Sequence, residues 1–187
     1  YGGSGFGKYG FCLAQEEITK ACGSTATMIG AHQSIGANAI FISGSEGLKQ
    51  KYLPSLCAGE KIAAFALTEP EAGSDSFNLK TTAVFDGENW ILNGVKVWIT
   101  NGSIADVFSV FARTEKGISG FVVEKKFPGV EVGPNEKKLG IKGSVTNTIT
   151  FNEVKVPAEN LIGTDGRGFL TAMQTLNSGR LGLGAAC

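Results

Sequence analysis

The residues best suited to ligand chemistry lie in two short segments, FALTEPEAGSDSF at 65–77 and KVWITNG at 96–102. In the first, an apolar run ends at Thr68, and Glu69-Pro70 predicts a sharp turn because proline fixes its own φ and restricts the preceding residue. Gly73-Ser74 then offers unobstructed backbone N–H groups, which is typical of a nest for an anion such as a pyrophosphate. From residue types alone, a ligand-binding loop and a solvated surface turn both remain open.

Trp98 and Thr100 are the candidate ligand contacts of the second segment. Alternation along a strand predicts that both side chains lie on the same face. An indole supplies stacking area and a hydroxyl supplies a hydrogen bond, which together suit the edge of a planar aromatic ring. The alternative is a core tryptophan beside a threonine whose hydroxyl binds a turn amide.

Other residues that could carry chemistry are weaker candidates. Glu69 and Glu71 are expected to lie in a solvated turn, which makes them poor choices for a general acid–base pair. His32 stands among apolar residues, a setting more typical of a hydrogen-bonded core histidine than of a catalytic one. Gly3, Gly5 and Gly7 imitate a phosphate loop but lack its motif, and the prediction there is a structural turn.

Composition excludes several classes of protein. With 187 residues, 42% of them hydrophobic and 18% charged, the chain is expected to be globular. Its 17 basic and 17 acidic residues cancel and form no basic stripe, so nucleic-acid binding is not expected. Apolar stretches such as 62–67 are too short to span a bilayer, and the first residues do not have the pattern of a signal peptide, so neither a membrane span nor an unprocessed secreted protein is expected. Cys12, Cys22, Cys57 and Cys187 are scattered, which predicts no metal site and favours small core thiols in a reducing compartment.

The periodicity of the sequence predicts an α+β fold. Helices are expected from Lys8 to about Gly59, with Phe11, Ala14, Ile18 and Ala21 forming one apolar face, Ser45 as an N-cap and Pro54 interrupting the last helix. Short β-branched runs then predict strands at 63–68, 81–85, 90–92, 95–100, 107–112, 121–124, 130–133 and 148–156. Asn93-Gly94 predicts a type I′ hairpin, and the helical period returns from Gly168.

The predicted architecture is an N-terminal helical segment (1–60), a central antiparallel β-sandwich or barrel domain (61–160), and the start of a C-terminal helical domain (161–187). Within it, AFALTEPEAGSD, VWITNG, GFVVEK, KKLGIKGSVTNTITFNEVKVPAENLIG and GRGFLTAMQTLNSGR stand in an order and spacing that resemble the acyl-CoA dehydrogenase family. The resemblance covers nearly the whole chain. The motifs GAHQSIG and LNSGR are most similar to those of the very-long-chain branch.

The resemblance implies an FAD cofactor between the β domain and the C-terminal helices. Thr68 would bind the pyrimidine edge of the flavin, Thr100 would reach toward N5, and Ser74 would contact both cofactor and acyl-CoA. The implied cofactor-binding residues are Phe65, Ala66, Leu67, Thr68, Gly73, Ser74, Trp98, Ile99 and Thr100. The implied substrate-binding residues are Ser74, Asn177, Ser178, Gly179 and Arg180, with the glycine leaving room for a long acyl chain. The resemblance also places His32 toward the acyl pocket.

The implied reaction is α,β-dehydrogenation of an acyl-CoA to the trans-2-enoyl-CoA in fatty-acid β-oxidation, with electrons passed to electron-transfer flavoprotein. No catalytic residue is assigned: most of the family carries the glutamate base beyond the position of Cys187, and a minority carries it where this sequence has Gly179. The chain therefore resembles a fragment that is expected to be inactive alone.

The resemblance further implies a homodimer or homotetramer, in the mitochondrial matrix or at the inner-membrane surface of a eukaryote, or in a bacterial cytoplasm. Peripheral membrane association would accompany the very-long-chain branch. Two alternatives stay open at this point. One is an acyl-CoA oxidase, which hands electrons to oxygen, and the other is a non-catalytic assembly protein that keeps the fold.

Overall fold

The computed structural model describes residues 1–187 and has the predicted order of helices, strands and a final helix. The helices are α1 (Gly7–Ala21), α2 (Gly23–Gly30), α3 (Asn38–Ser43), α4 (Glu46–Cys57) and α5 (Gly168–Ala185), with a π-helical segment (Ala31–Ala37) between α2 and α3. The strands are β1 (Ala63–Ala66), β2 (Thr82–Phe85), β3 (Asn89–Thr100), β4 (Val107–Thr114), β5 (Gly117–Glu124), β6 (Val130–Asn135), β7 (Thr146–Pro157) and β8 (Leu161–Ile162). Single 3₁₀ turns lie at Ser76–Asn78 and Ala158–Asn160. The α+β fold class is confirmed.

All eight strands form one sheet, in the order β6-β7-β3-β2-β4-β5-β8, with β1 added beside β4. Most neighbours are antiparallel, as predicted, but β1 runs parallel to β4 over four residue pairs, and β2 runs parallel to β4 at the pair Thr82 and Arg113. A tight hairpin cannot produce a parallel pair, which needs a long crossover. Here the connection between the two strands contains β2 and β3. It brings β4 back beside β1, the strand that leads into the first candidate segment.

The predicted hairpin at Asn93-Gly94 is wrong, because β3 runs unbroken from Asn89 to Thr100. Gly94, with φ of 152°, lies at a register shift between β3 and β7, and a Cβ there would collide with Thr81. The hairpin that joins β2 to β3 turns at Asp86-Gly87 instead, where the Asp86 carboxylate accepts N–H bonds at 2.7 and 2.9 Å from the two residues that follow the glycine. Both a bulge and a primed turn favour glycine, so the dipeptide alone does not separate them.

The predicted ends of α4 are only partly correct. Ser45 is its N-cap, because the Oγ atom accepts the N–H of Leu48 at 3.2 Å. Pro54, however, lies inside the helix, which continues to Cys57. The chain turns out of the helix at Gly59, whose φ of 73° favours glycine.

The contact face of α1 also differs from the prediction. Ala14 and Ala21 are exposed, whereas Gln15 is the most buried residue of the helix. Of the four residues predicted for the apolar face, only Phe11 and Ile18 are half-buried. The hydrophobic period therefore located the helix but misplaced its contact face.

The core depends on β4, which is buried on both faces. Phe108, Val110 and Ala112 point into a core formed among the strands, while Val107 packs with α3 and α4 and Phe111 packs with β1 and α5. Burial on both faces explains why β4 reads as a continuous apolar run. Its position fixes the neighbouring β1 in the middle of the molecule.

The cysteines are not core residues. Cys12 is half-buried, and Cys22, Cys57 and Cys187 are exposed, so the prediction of core thiols is wrong. All four are free thiols. None of the five helices combines the length and the apolar character needed to cross a membrane.

Candidate functional site

The two candidate segments meet at one cavity of about 330 Å³. Eight of the nine predicted cofactor-binding residues line this cavity: Phe65, Leu67, Thr68, Gly73, Ser74, Trp98, Ile99 and Thr100. The other walls are Ser76, the π-helical residues Ala31 and Ile35, and Met173, Leu176 and Arg180 of α5. Segments that are separated along the chain by a loop and a hairpin therefore share one site, between the sheet and two helical elements.

The first segment leaves buried β1 and turns as the proline predicts. Glu69 and Ala72 exchange two backbone hydrogen bonds of 3.1 Å, which close the turn around Pro70. Beyond the turn, the backbone N–H groups of Gly73 and Ser74 donate to no protein acceptor. Apart from Gly73 and its two chain neighbours, no protein atom lies within 4 Å of the position of a Cβ at Gly73. This stretch thus presents free donors in open space at the cavity wall.

The second segment is bent by a β-bulge rather than following strand alternation. Its register against β7 shifts between Lys96 and Ile99, and Trp98 has φ of 60°, a left-handed conformation that is costly for a bulky residue. The indole is 61% exposed, which excludes the alternative of a core tryptophan. The bulge lets Trp98, Ile99 and Thr100 all line the cavity, whereas simple alternation would have turned one of them away. Backbone strain of this kind is a common feature of ligand sites.

The two segments are also bonded to each other. The N–H of Val97 donates to the carbonyl of Thr68 at 2.9 Å. Lys96 Nζ donates to the carbonyl of Leu67 at 3.1 Å and to Glu69 Oε1 at 2.7 Å. Three bonds therefore hold the strand end of the first segment against the bulge of the second.

Glu69 is buried, which corrects the prediction of a solvated carboxylate. Its side chain is only 6% exposed and forms an ion pair with the fully buried Lys96. The carboxylate also accepts the backbone N–H groups of Lys80 at 2.6 Å and of Thr81 at 2.9 Å. Burial alone would raise the pKa of Glu69, but the bonds from Lys96, Thr81 and Lys80 together hold it below its ordinary value. Burial lowers the pKa of Lys96 to about 8, and the bond to Glu69 opposes that shift. Glu71, in contrast, stays exposed and pairs with the Lys80 amine.

The ion pair predicts an acid-sensitive stability. In the full-length protein we expect Glu69→Gln to lose about 3 kcal/mol of stability at pH 7, since it leaves Lys96 buried without its partner. Because the folded pKa of Glu69 is lowered, its contribution is complete above the ordinary pKa of 4.5 and fades as the pH falls below that value. Urea unfolding midpoints at several pH values should therefore converge for the variant and the unaltered protein in acid. Glu71→Gln, the exposed control, should change them little throughout, and a Glu69→Gln difference that does not vary with pH would contradict the assignment.

Several predicted site residues lie outside the lining. Ala66 faces the core among the strands. Of the four α5 residues, Arg180 lines the cavity, and Asn177 holds it there by accepting from Arg180 Nη1 at 2.7 Å. A Cβ at Gly179 would lie 2.7 Å from Ile35, so this glycine lets α5 approach the π-helical segment rather than leaving space. Ser178 is half-buried and is not part of the lining.

His32 is a hydrogen-bonded structural residue. Its Nδ1 atom accepts the N–H of Ala63 at 2.9 Å, and its Nε2 atom lies 3.1 Å from the carbonyl of Leu56. These partners assign the neutral tautomer with the proton on Nε2, in agreement with a pKa that burial lowers. The ring joins the π-helical segment to β1 and to the end of α4, and it is not among the residues that line the cavity.

The lining combines apolar surface with hydroxyl groups that have no protein partner. The hydroxyls of Thr68, Ser74, Ser76 and Thr100 form no hydrogen bond within the chain, although all four residues line the cavity. Phe65, Trp98, Met173 and Leu176 supply flat or flexible apolar contacts, and Arg180 is the one charged lining residue. The site therefore suits a planar aromatic ligand with polar edges and an anionic part.

Some lining residues were not predicted from the sequence. Ala31 and Ile35 are four residues apart, and Met173 and Leu176 precede the predicted Arg180 at steps of three and four. Such spacing places each set on one helix face, so a search for helical faces toward the β domain could have found them. Lys96 carries no such signal, because only the fold brings it to Glu69.

These features define a helical and β-sheet ligand-binding unit whose site lies between the sheet and the helices. The chain belongs to the acyl-CoA dehydrogenase family: the family's N-terminal domain matches residues 1–60, and its middle domain matches residues 64–154. The second match contains both segments that line the cavity.

Named relatives agree with this membership. The chain is 47% identical to the short-chain-specific acyl-CoA dehydrogenase of Clostridium acetobutylicum, over 99% of the chain and 50% of the relative. It is 49% identical to the mitochondrial very-long-chain-specific acyl-CoA dehydrogenase of Bos taurus, over 85% of the chain and 26% of the relative. The crystal structure of an acyl-CoA dehydrogenase complexed with FAD from Bacillus anthracis superposes with a TM-score of 0.95 at 46% identity, over 100% of the chain and 32% of that structure. The chain thus spans half or less of the length of these relatives.

Proposed function

We propose that the full-length protein is an FAD-dependent dehydrogenase that converts acyl-CoA to trans-2-enoyl-CoA. The observation that carries the proposal is the meeting of two segments at one cavity, with four unpartnered hydroxyls and two free backbone donors on its wall. Membership of the acyl-CoA dehydrogenase family supports the reaction type. The FAD complex of the Bacillus anthracis relative supports the cofactor.

The residues present fit a flavin. Thr68 and Thr100 would offer hydroxyls to the polar edges of the ring, and Trp98 would cover it with an indole that is already 61% exposed. The free N–H groups of Gly73 and Ser74 would bind the pyrophosphate, as in other backbone nests. Phe65 and Leu67 supply apolar contact from the buried strand. When bound, FAD supplies the two-electron oxidation of the thioester substrate.

The residues of this chain would orient the cofactor and the substrate and would stabilise the charge that develops during the reaction. Donors that are fixed before the reaction stabilise developing charge without any cost of reorganisation, and the bulge and the turn fix these donors through the backbone. Met173 and Leu176 would limit the entry of water from the α5 side. Arg180, held by Asn177, would bind an anionic or carbonyl group of acyl-CoA together with Ser74, while Gly179 would let α5 lie close to the π-helical segment beside that group.

The proton acceptor would come from outside these lining residues. No carboxylate lines the cavity, and Glu69 is fully engaged with three donors behind it. A carboxylate with three donors and a lowered pKa is a poor base. We therefore place the base on a part of the full-length protein beyond these 187 residues, and we do not assign the role to Glu69 or Glu71.

The finer parts of the proposal concern the acyl group, the electron acceptor and the assembly. The two relatives named above are a short-chain and a very-long-chain enzyme at similar identity, so similarity alone does not set the acyl length. We favour long acyl chains because the motifs GAHQSIG and LNSGR resemble those of the very-long-chain branch. We further propose electron-transfer flavoprotein as acceptor, a homodimer or homotetramer, and a role in β-oxidation in the mitochondrial matrix, at its inner membrane, or in a bacterial cytoplasm.

The test uses the full-length protein purified with FAD and mixed anaerobically with palmitoyl-CoA. We expect rapid bleaching of the visible flavin absorbance, faster than with butyryl-CoA. Readmitted air should restore the absorbance slowly, and electron-transfer flavoprotein should restore it quickly. Fast recovery in air would favour an oxidase. A flavin that binds but never bleaches would favour the assembly protein, and a protein that remains colourless with excess FAD would contradict the proposal.

A further inference from the structure

The ion pair of Glu69 and Lys96 lies directly behind the cavity wall without being part of it. Lys96 is fully buried and Glu69 is 6% exposed, yet neither is among the residues that line the cavity. Burying two charges carries a desolvation cost that their attraction often fails to offset, and apolar replacements of such pairs are often neutral or stabilising. Stability alone is therefore a weak explanation for a charged pair at this place.

The lysine fixes the peptide that precedes Thr68. Lys96 Nζ donates to the carbonyl of Leu67, and the next residue along β3, Val97, donates its N–H to the carbonyl of Thr68. Both peptide planes that flank the Thr68 Cα are thus held by consecutive residues of one strand. The direction of the Thr68 side chain into the cavity follows from these two bonds.

The glutamate closes the loop that carries the free backbone donors. Its two oxygens accept the N–H groups of Lys80 and Thr81, and its own residue begins the proline turn. The ends of the 69–81 loop are therefore joined through one carboxylate. Gly73 and Ser74, which present their N–H groups at the cavity, lie within this closed loop.

The same lysine marks the base of the bulge. The register of β3 against β7 shifts between Lys96 and Ile99, and the strained Trp98 lies inside that shift. Anchoring the Lys96 side chain to Glu69 and Leu67 holds the strand at the point where the bulge begins. One ion pair thus connects the three parts of the wall: the Thr68 hydroxyl, the Gly73-Ser74 donors and the Trp98 indole.

We propose that Glu69 and Lys96 are positioning residues of the cofactor site, which set the relative placement of the Thr68, Ser74 and Trp98 segments around the FAD ring. The inference rests on the proposed function, because it assigns the wall to FAD. Neither residue touches the ligand. Their effect reaches it through the backbone groups that they bind.

The experiment compares three full-length variants with the unaltered protein. Lys96→Met removes the amine at similar length, and Lys96→Met/Glu69→Gln removes both charges, so that no unpaired charge stays buried if the single variant fails to fold. Lys20→Met is the matched control, since it removes a lysine that pairs with Glu16 and Glu17 on the exposed surface of α1. The readouts are the dissociation constant of FAD, the visible circular dichroism of the bound flavin, and the thermal midpoint of the apoprotein.

We expect a tenfold to hundredfold rise, roughly, in the FAD dissociation constant of the folded Lys96 variants, as for the loss of a charge-assisted hydrogen bond. Their bound flavin should show an altered dichroism, and Lys20→Met should show neither change. Folded variants that bind FAD with unchanged affinity and dichroism would overturn the inference while leaving the proposed function intact. Loss of the fold in both variants would show that the pair of Glu69 and Lys96 serves stability, and this result would also overturn the inference. If the unaltered protein bound no FAD, both proposals would fail.

Discussion

Replacing both cavity threonines, Thr68→Val/Thr100→Val, should slow reduction of the bound flavin by acyl-CoA on the order of a thousandfold. A hydrogen bond to a charged group contributes about 1.5–3 kcal/mol, and each factor of ten in rate corresponds to about 1.4 kcal/mol. Each single variant should therefore lose roughly one to two powers of ten. Valine keeps the shape of threonine, and neither cavity hydroxyl has a protein partner to leave unpaired. Stability should consequently change little.

The measurement is stopped-flow bleaching of the full-length protein under saturating palmitoyl-CoA. Thr82→Val/Thr164→Val provides the control, because both of those threonines are exposed and lie outside the cavity lining. A double variant that is reduced as fast as the unaltered protein would show that the two hydroxyls do not face the reacting ring. A rate that is limited only by weaker substrate binding would recover at higher palmitoyl-CoA, and we expect no such recovery.

Gly36→Val should destabilise the protein by about 3 kcal/mol, which is the upper part of the range for overpacking a well-packed core. A Cβ at Gly36 would lie 2.8 to 2.9 Å from the backbone and Cβ of Ala63, and backbone atoms cannot move aside as a flexible side chain could. The π-helical segment is locked at this point, since Ser109 donates to the Gly36 carbonyl at 2.8 Å. Displacing it would also move Ala31 and Ile35, which line the cavity.

Gly73→Ala is the matched control for this experiment. No protein atom lies near a Cβ at Gly73, so the thermal midpoint of the apoprotein should stay unchanged, whereas FAD affinity should fall because the added methyl would project beside the ligand. The two glycines thus separate packing from binding. Equal loss of stability in both variants would contradict the assignment of Gly73 to open ligand space.

The sequence was informative where a function depends on local residue types. Thr68, the proline turn and Gly73-Ser74 are neighbours along the chain, and the same is true of Trp98 and Thr100. Their chemistry could therefore be recognised from residue types and spacing alone. The α+β order was likewise recoverable, because helical and strand periods change abruptly near Gly59 and Gly168.

The sequence was misleading where the conformation depends on a distant partner. Strand alternation fails at Trp98 because the register against β7 shifts there, and nothing in the local residues records that shift. Lys96 looks like a surface lysine until the fold places it 2.7 Å from Glu69, 27 residues earlier in the chain. Gly94 is a bulge rather than a turn for the same reason, since β7 pairs with both halves of β3.

We propose that the Thr68 and Trp98 segments hold one flavin ring between them. The most direct measurement is a crystal structure of the full-length protein with FAD bound. We predict the ring in this cavity, with the hydroxyls of Thr68 and Thr100 within about 3 Å of its polar edges and the Trp98 indole in van der Waals contact. A flavin bound elsewhere, or a ring in this cavity that neither hydroxyl reaches, would contradict this placement of the flavin.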